Sequence, residues 1–360
     1  MYHASVNGTA FALTRNDEGG YSLVSTGEQI RQALGDSGEL VITVNDVTDL
    51  NVELPVTAMG TAALTVITDF GTVTLSGATL QNIMKLYGVT LKLHISKGSY
   101  SIGLLVDGRP AAYDSPDYPL VITLPFQLAE GQDASAYVVI RKTESTDRIL
   151  PLAAGINGSV TFTTSATGTY DVVYNGYTFG DVPDSYWAEQ DIAFVAARGL
   201  LTGTGGSSFS PGASMTRAMF VKALANLEGI DGSSYAGTPF TDVPEGKWYT
   251  AAVNWAARTG IVRGTGQGRF SPDERITREE MAAMLYAYAE CKGDTLPAIT
   301  AAEFADGGQI SPWAKEAADR LAAAGILTGQ PGGSFSPGMH ATRAEAAAVF
   351  ARFIRGVSSN

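Results

Sequence analysis

The chain has 360 residues, 45% hydrophobic and 17% charged, an ordinary composition for a folded protein with material for two cores. Its 36 acidic side chains against 24 basic ones give a formal net charge of −12, with 17 acidic and 9 basic residues up to Asn175 and 19 and 15 beyond it. Both parts are therefore acidic, which argues against nucleic acid as a partner.

One cysteine, Cys291, excludes an intramolecular disulfide framework and is read as a partly buried side chain at a helix end. Three scattered histidines, His3, His94 and His340, leave no metal cluster, so neither metal nor cofactor is expected. No run reaches the roughly 18 apolar residues of a membrane-spanning helix. The opening, MYHASVNGTAFALTRNDEGG, has no basic segment followed by an apolar core, so no secretion signal is visible.

Up to about Asn175 the sequence consists of β-branched runs separated by Gly, Asp and Pro. ELVITVND, ALTVITDF, GTVTLS, VTLKLHIS, YSIGLLVDG, PLVITLPF, SAYVVIRKT and SVTFTTSA read as strands, several with period-two alternation. Two short helices interrupt them: Thr26 to Leu34, capped by Ser25 or Thr26, and Ala78 to Tyr87, stopped by Gly88. This pattern predicts a mostly-β, sandwich-like module over residues 1–175. Asp114 and Asp117, in YDSPDYP, are read as turn residues rather than an acid pair.

The remainder is self-similar. FGDVPDSYW…LLTGTGGSSFSPGASMTRAMF, FTDVPEGKWY…IVRGTGQGRFSPDERITREEM and FADGGQISPW…ILTGQPGGSFSPGMHATRAEA share an aspartate, a tryptophan, a glycine turn, F-S-P and T-R in register. From Asp181, Asp242 and Asp306 to Arg217, Arg278 and Arg343 the spacing is 36, 36 and 37 residues, so one unit is copied three times. In each copy a short amphipathic helix after the tryptophan ends at a C-cap glycine, Gly199, Gly260 or Gly325. A second helix then begins at T-R.

Thr277 with Glu280 and Thr342 with Glu345 form capping boxes, whereas Thr216 is followed three positions on by Met219. Capping accounts for the threonine and the glutamate, but not for the arginine. An arginine in the first turn faces the positive end of the helix dipole, at a cost of about 0.3–1 kcal/mol. Its recurrence implies a compensating partner: either an anion at the helix start, where free N–H groups and the guanidinium converge, or a carboxylate inside a helical bundle.

These motifs, over roughly Thr178 to Gly356, resemble the S-layer homology (SLH) domain of bacterial surface proteins. The resemblance implies an all-α, pseudo-threefold bundle of three repeats, at 178–230, 238–292 and 300–356, following the β-rich module. It implies a non-catalytic anchor at the bacterial cell wall, binding secondary cell-wall polysaccharide through a ketal-linked pyruvate carboxylate, with lateral contacts within a surface layer. Carried over to this sequence, Arg217, Arg278 and Arg343 hold the carboxylate. Trp187, Trp248 and Trp313 line grooves or, as the favoured alternative, wedge into the core as hydrophobic anchors, and Gly203, Gly264 and Gly329 admit the sugar to the backbone. Asp181, Asp242 and Asp306 contact the sugar or, as the favoured alternative, fix a turn.

Repeat one departs from the pattern at T-R-A-M and repeat three at D-G-G, so either groove is expected to be weakened or occluded. An extracellular chain with this start is expected to be a fragment, or to have its export signal upstream of Met1. The alternative is a β-rich module that is itself a sugar-binding adhesin or hydrolase displayed by the anchor. No G-K-[ST], G-x-S-x-G or H-E-x-x-H motif supports an enzymatic reading.

Overall fold

The computed structural model describes residues 2–15, 20–88, 90–97, 100–106, 109–143, 147–156, 158–230, 235–294, 296 and 304–357. Part of the linker from Gly229 to Pro239 and residue 300, the expected start of the third repeat, lie outside the described residues. So do Val89, Asp107 and Gly108, at the ends of two predicted strands. The chain divides into two units, Met1–Tyr174 and Asn175–Asn360.

The first unit is built from two sheets. One runs in spatial order Ala154–Ile156, Ser159–Thr164, Leu120–Pro125, Gly71–Leu75, Ala63–Thr68, Glu39–Val44, His3–Val6 and Thr9–Ala12. The other runs Arg148–Leu150, Tyr137–Lys142, Gly168–Tyr174, Tyr100–Val106, Thr90–Ser96, Asp49–Pro55, Tyr21–Val24 and Thr14–Arg15, with Arg109–Ala111 beside Tyr100–Val106. From Tyr21 to Thr68 the chain alternates between the sheets strand by strand. Each return lands parallel to the earlier strand, Asp49–Pro55 on Tyr21–Val24 and Ala63–Thr68 on Glu39–Val44. Among the described residues all other pairings are antiparallel.

Period-two alternation sends Leu40, Ile42 and Val44 from one sheet and Leu50, Val52 and Leu54 from the other into a common core. The predicted runs all lie on strands, but the first and last parts of the unit hold more. Asn7 and Gly8, at φ 45° and 82°, join His3–Val6 to Thr9–Ala12 as an Asn-Gly hairpin. Ser159–Thr164 and Gly168–Tyr174 go to opposite sheets.

Both predicted helices are present. α1 (Gly27–Leu34) starts at a Thr26–Gln29 capping box, and α2 (Gly77–Tyr87) is capped by Ser76 and stops at Gly88, φ 102°. Gly77 is required there, since a Cβ would lie 2.0 Å from the Thr61 carbonyl oxygen.

The second unit is helical: α3 (Glu189–Ala197), α4 (Arg217–Glu228), α5 (Thr250–Arg258), α6 (Arg278–Lys292), α7 (Pro312–Ala323) and α8 (Arg343–Val357). Ile192, Val195 and Ala196 are buried on one face of α3, as their spacing requires. Gly199, Gly260 and Gly325, at φ 70°, 77° and 70°, follow the first helix of each repeat in the left-handed conformation that reverses the chain.

The second helix of each repeat packs on the first helix of the next: α4 on α5, α6 on α7, and α8 back on α3. At the centre three backbone hydrogen bonds form a closed cycle. Met215 donates to Ala341 at 2.9 Å, Ala341 to Ile276 at 3.0 Å and Ile276 to Met215 at 3.0 Å. Phe209, Phe270 and Phe335 of the F-S-P motifs are wholly buried, as are Phe220, Phe350 and Phe353. Cys291 is exposed, against the expectation of partial burial, in the last turn of α6.

Candidate functional site: grooves shared by three repeats

The T-R arginines are interior residues. Arg217, Arg278 and Arg343 are 3%, 4% and 7% exposed. Each reaches out of its own repeat into the next. Arg217 donates from Nε to Phe270 O (2.9 Å), from Nη2 to Arg263 O (3.2 Å) and from Nη1 to Glu280 Oε1 (2.7 Å). Arg278 repeats the pattern on Phe335 O (2.7 Å), Thr328 O (2.9 Å) and Glu345 Oε1 (3.0 Å). Arg343 closes the cycle on Phe209 O (2.7 Å) and Thr202 O (2.6 Å), but Met219 stands where the glutamate would be. Among the described residues Arg343 is in no ion pair, and the repeat-one departure at T-R-A-M is the reason.

The dipole argument for an anion at the helix start meets a different resolution. The first two amides of each second helix are already engaged by the neighbouring repeat: Arg217 N and Ala218 N by Glu274 O and Pro272 O, Arg278 N and Glu279 N by Met339 O and Pro337 O, and Arg343 N and Ala344 N by Ala213 O and Pro211 O. The third is held by the capping threonine at 3.2–3.3 Å. No free N–H fan remains there, and the unfavourable position of the arginine is offset by buried carbonyls and, twice, by a carboxylate. Burial pushes both Arg278 and Arg343 below the usual arginine range; Glu345 opposes this at Arg278, Asp181 at Arg343.

Sequence reasoning missed the second duty of the glutamates. Glu280 Oε2 accepts from Thr277 N at 2.8 Å while Oε1 takes the arginine of the preceding repeat, and Glu345 does the same with Thr342 N at 2.8 Å. Local spacing discloses the cap, but the partner lies 63 or 67 residues away.

Asp181, Asp242 and Asp306 serve as turn clasps, each accepting two backbone N–H groups: Phe209 and Ser210, Phe270 and Ser271, Phe335 and Ser336, at 2.6–2.9 Å. They hold the serines of F-S-P at φ 59°, 60° and 56°, a left-handed conformation costly for a residue with a side chain. These bonds lower the carboxyl pKa of Asp181, led by that from Phe209; at Asp242 and Asp306 burial pulls upward but the amides prevail. The D-G-G departure leaves the Asp306 clasp intact.

Trp187, Trp248 and Trp313 are 59%, 56% and 60% exposed, which overturns the favoured expectation that they pack in the core. Trp187 and Trp248 sit just before α3 and α5, and Trp313 in the first turn of α7, while the neighbouring Tyr186, Tyr249 and Ala314 turn inward instead. Gly203, Gly264 and Gly329 are held close to their own turns. A Cβ on Gly264 would lie 2.5 Å from Arg269 O, one on Gly203 3.0 Å from Ser208 O, and one on Gly329 3.3 Å from Gly333. Chain packing thus already requires glycine at 264 and leaves little room for a side chain at 203 and 329.

Two cavities bring these residues together. One, of about 560 Å³, is lined by Trp187 from repeat one, Arg278 from repeat two, and Gly329 and Glu345 from repeat three. The other, of about 690 Å³, is lined by Arg217 from repeat one, Gly264 and Glu280 from repeat two, and Trp313 from repeat three. The rule is cyclic: arginine from one repeat, glycine turn and glutamate from the next, tryptophan from the one after. An aromatic face beside buried donors and acceptors is a chemistry suited to saccharides.

Residues 178–219, 239–282 and 303–347 match the S-layer homology domain family. The C-terminal half of the chain therefore carries three tandem S-layer homology domains, modules of cell-surface association. The chain is 35% identical over 194 residues to an amylopullulanase of Thermoanaerobacterium thermosulfurigenes, covering 54% of this chain and 10% of that protein. It is 36% identical over 179 residues to exoglucanase XynX of Acetivibrio thermocellus, covering 49% and 16%. To an S-layer protein of Bacillus thuringiensis subsp. finitimus it is 32% identical over 199 residues, covering 55% and 24%. The chain thus spans at most about a quarter of the length of these relatives.

Proposed function

We propose that this chain is a non-catalytic, extracellular cell-wall anchor whose three repeats form a pseudo-threefold bundle. On this reading the grooves between the repeats bind a secondary cell-wall polysaccharide carrying a pyruvate ketal, and the β-rich unit, a two-layer sandwich-like module, is what the anchor displays. The observation that carries the reading is the composition of the two cavities: each draws its arginine, glycine turn and exposed tryptophan from three different repeats. Three linked sites on one polymer multiply affinity without new contacts. The sandwich reading is supported by the core that the two sheets share.

The test is co-sedimentation of the full chain with purified bacterial cell wall, before and after mild acid removes the ketal. Binding is expected to fall on ketal removal, and on replacing Trp187, Trp248 and Trp313 together by Ala. These side chains are exposed, so the fold is expected to survive their loss. Equal sedimentation of the triple variant and the wild type would overturn the groove mechanism.

A further inference from the structure

The three grooves differ in charge, and the difference falls on the one that the T-R-A-M departure of repeat one alters. In the two cavities described, the arginine is neutralised by Glu280 or Glu345 of the next repeat, and the positions five residues beyond the T-R arginine are Ala283 and Ala348. Extended by sequence register, the cyclic rule composes a third groove from Arg343, the Gly203 turn with Met219, and Trp248, with Lys222 at the position of those alanines. Glu316, beside Trp313 in one cavity, has Ala251 as its counterpart beside Trp248.

The atom-level consequence is at Nη1. In Arg217 and Arg278 this nitrogen donates to the glutamate. Among the described residues the Arg343 side chain donates from Nε and Nη2 alone, and Nη1 keeps contact with solvent. Lys222 is half-buried and, among the described residues, in no ion pair. The nearby acid, Asp181, has both oxygens committed to backbone amides.

We infer that the Arg343 groove is the carboxylate-selective site of the three, with Met219 and Lys222 as its specificity-determining residues, and that the Glu280 and Glu345 grooves take uncharged parts of the saccharide. This rests on the anchoring reading above and assigns its charged contact to one groove. A guanidinium N–H with no internal acceptor and a neighbouring ammonium hold a carboxylate; where the guanidinium is already paired, its glutamate repels one.

The experiment is calorimetric titration of the full chain with a methyl hexopyranoside bearing a 4,6-linked pyruvate ketal, and with the methyl ester of that ketal as the uncharged probe. The acid is expected to bind one site per chain and the ester at least about tenfold more weakly. Met219→Glu and Lys222→Ala are each expected to weaken the acid about tenfold or more and the ester by less, so that the preference for acid over ester falls. Grafting Glu280→Met with Ala283→Lys is expected to raise the acid stoichiometry to two, with urea midpoints confirming folding. Unchanged acid affinity in both single variants, or loss of the acid site in Arg278→Met but not in Arg343→Met, would overturn the assignment. If neither probe binds while wall sedimentation persists, the assignment fails and the anchoring reading stands; if sedimentation also fails, the anchoring reading itself is lost.

Discussion

Arg278→Ala tests whether the T-R arginines are keystones between repeats. The side chain is 4% exposed and makes three hydrogen bonds, all to repeat three. Alanine strands the carbonyl oxygens of Phe335 and Thr328, opens a cavity, and leaves the Glu345 carboxylate, 14% exposed, with only Gln330 and its own cap. Breaking one half of a buried pair in this way costs about 3–5 kcal/mol. Glu345→Gln is milder, because its amide can satisfy either the cap on Thr342 N or the arginine but not both, a loss of about 1–2 kcal/mol. The assay is urea unfolding followed by tryptophan fluorescence. All four tryptophans, Trp187, Trp248, Trp255 and Trp313, lie in the C-terminal unit, so the signal reports on that unit alone. A loss below about 1 kcal/mol for Arg278→Ala, or one no larger than for Glu345→Gln, would refute the keystone argument.

Alanine at the turn glycines is expected to destabilise in the order Gly264, Gly203, Gly329, following Cβ approaches of 2.5, 3.0 and 3.3 Å, with the first costing about 1–3 kcal/mol in the same urea assay. The clasp aspartates set an acid limit. Their folded pKa values lie below the unfolded 3.8, so their contribution is complete above that value and is lost as pH falls through the lowered folded values. Asp294 works oppositely: burial raises its pKa, so at neutral pH it opposes folding, and Asp294→Asn is expected to raise the neutral-pH melting temperature. A fall instead would show that the charge is compensated.

Much of the fold was legible locally. Helix starts at Thr26, Thr277 and Thr342 follow from the spacing of cap and Glu or Gln, and the buried alternation of Leu40, Ile42 and Val44 follows from period-two patterning. The same alternation at Leu50, Val52 and Leu54, and the Asn7-Gly8 turn, were equally open to this reading. The coiling of strands between two sheets was not, because parallel pairing joins residues that have no local signal for each other.

The sequence by itself determined that one unit is copied three times, that each copy begins its second helix with an arginine no cap explains, and that repeat one lacks the paired glutamate. Only the tertiary structure decided where those arginines point. Closure of the cycle turns each guanidinium into the following repeat, so two are neutralised internally and the third, Arg343, is not. The physical reason is range: a capping box is fixed by three residues of helix geometry, whereas the charge left over in a groove depends on groups brought together from all three repeats.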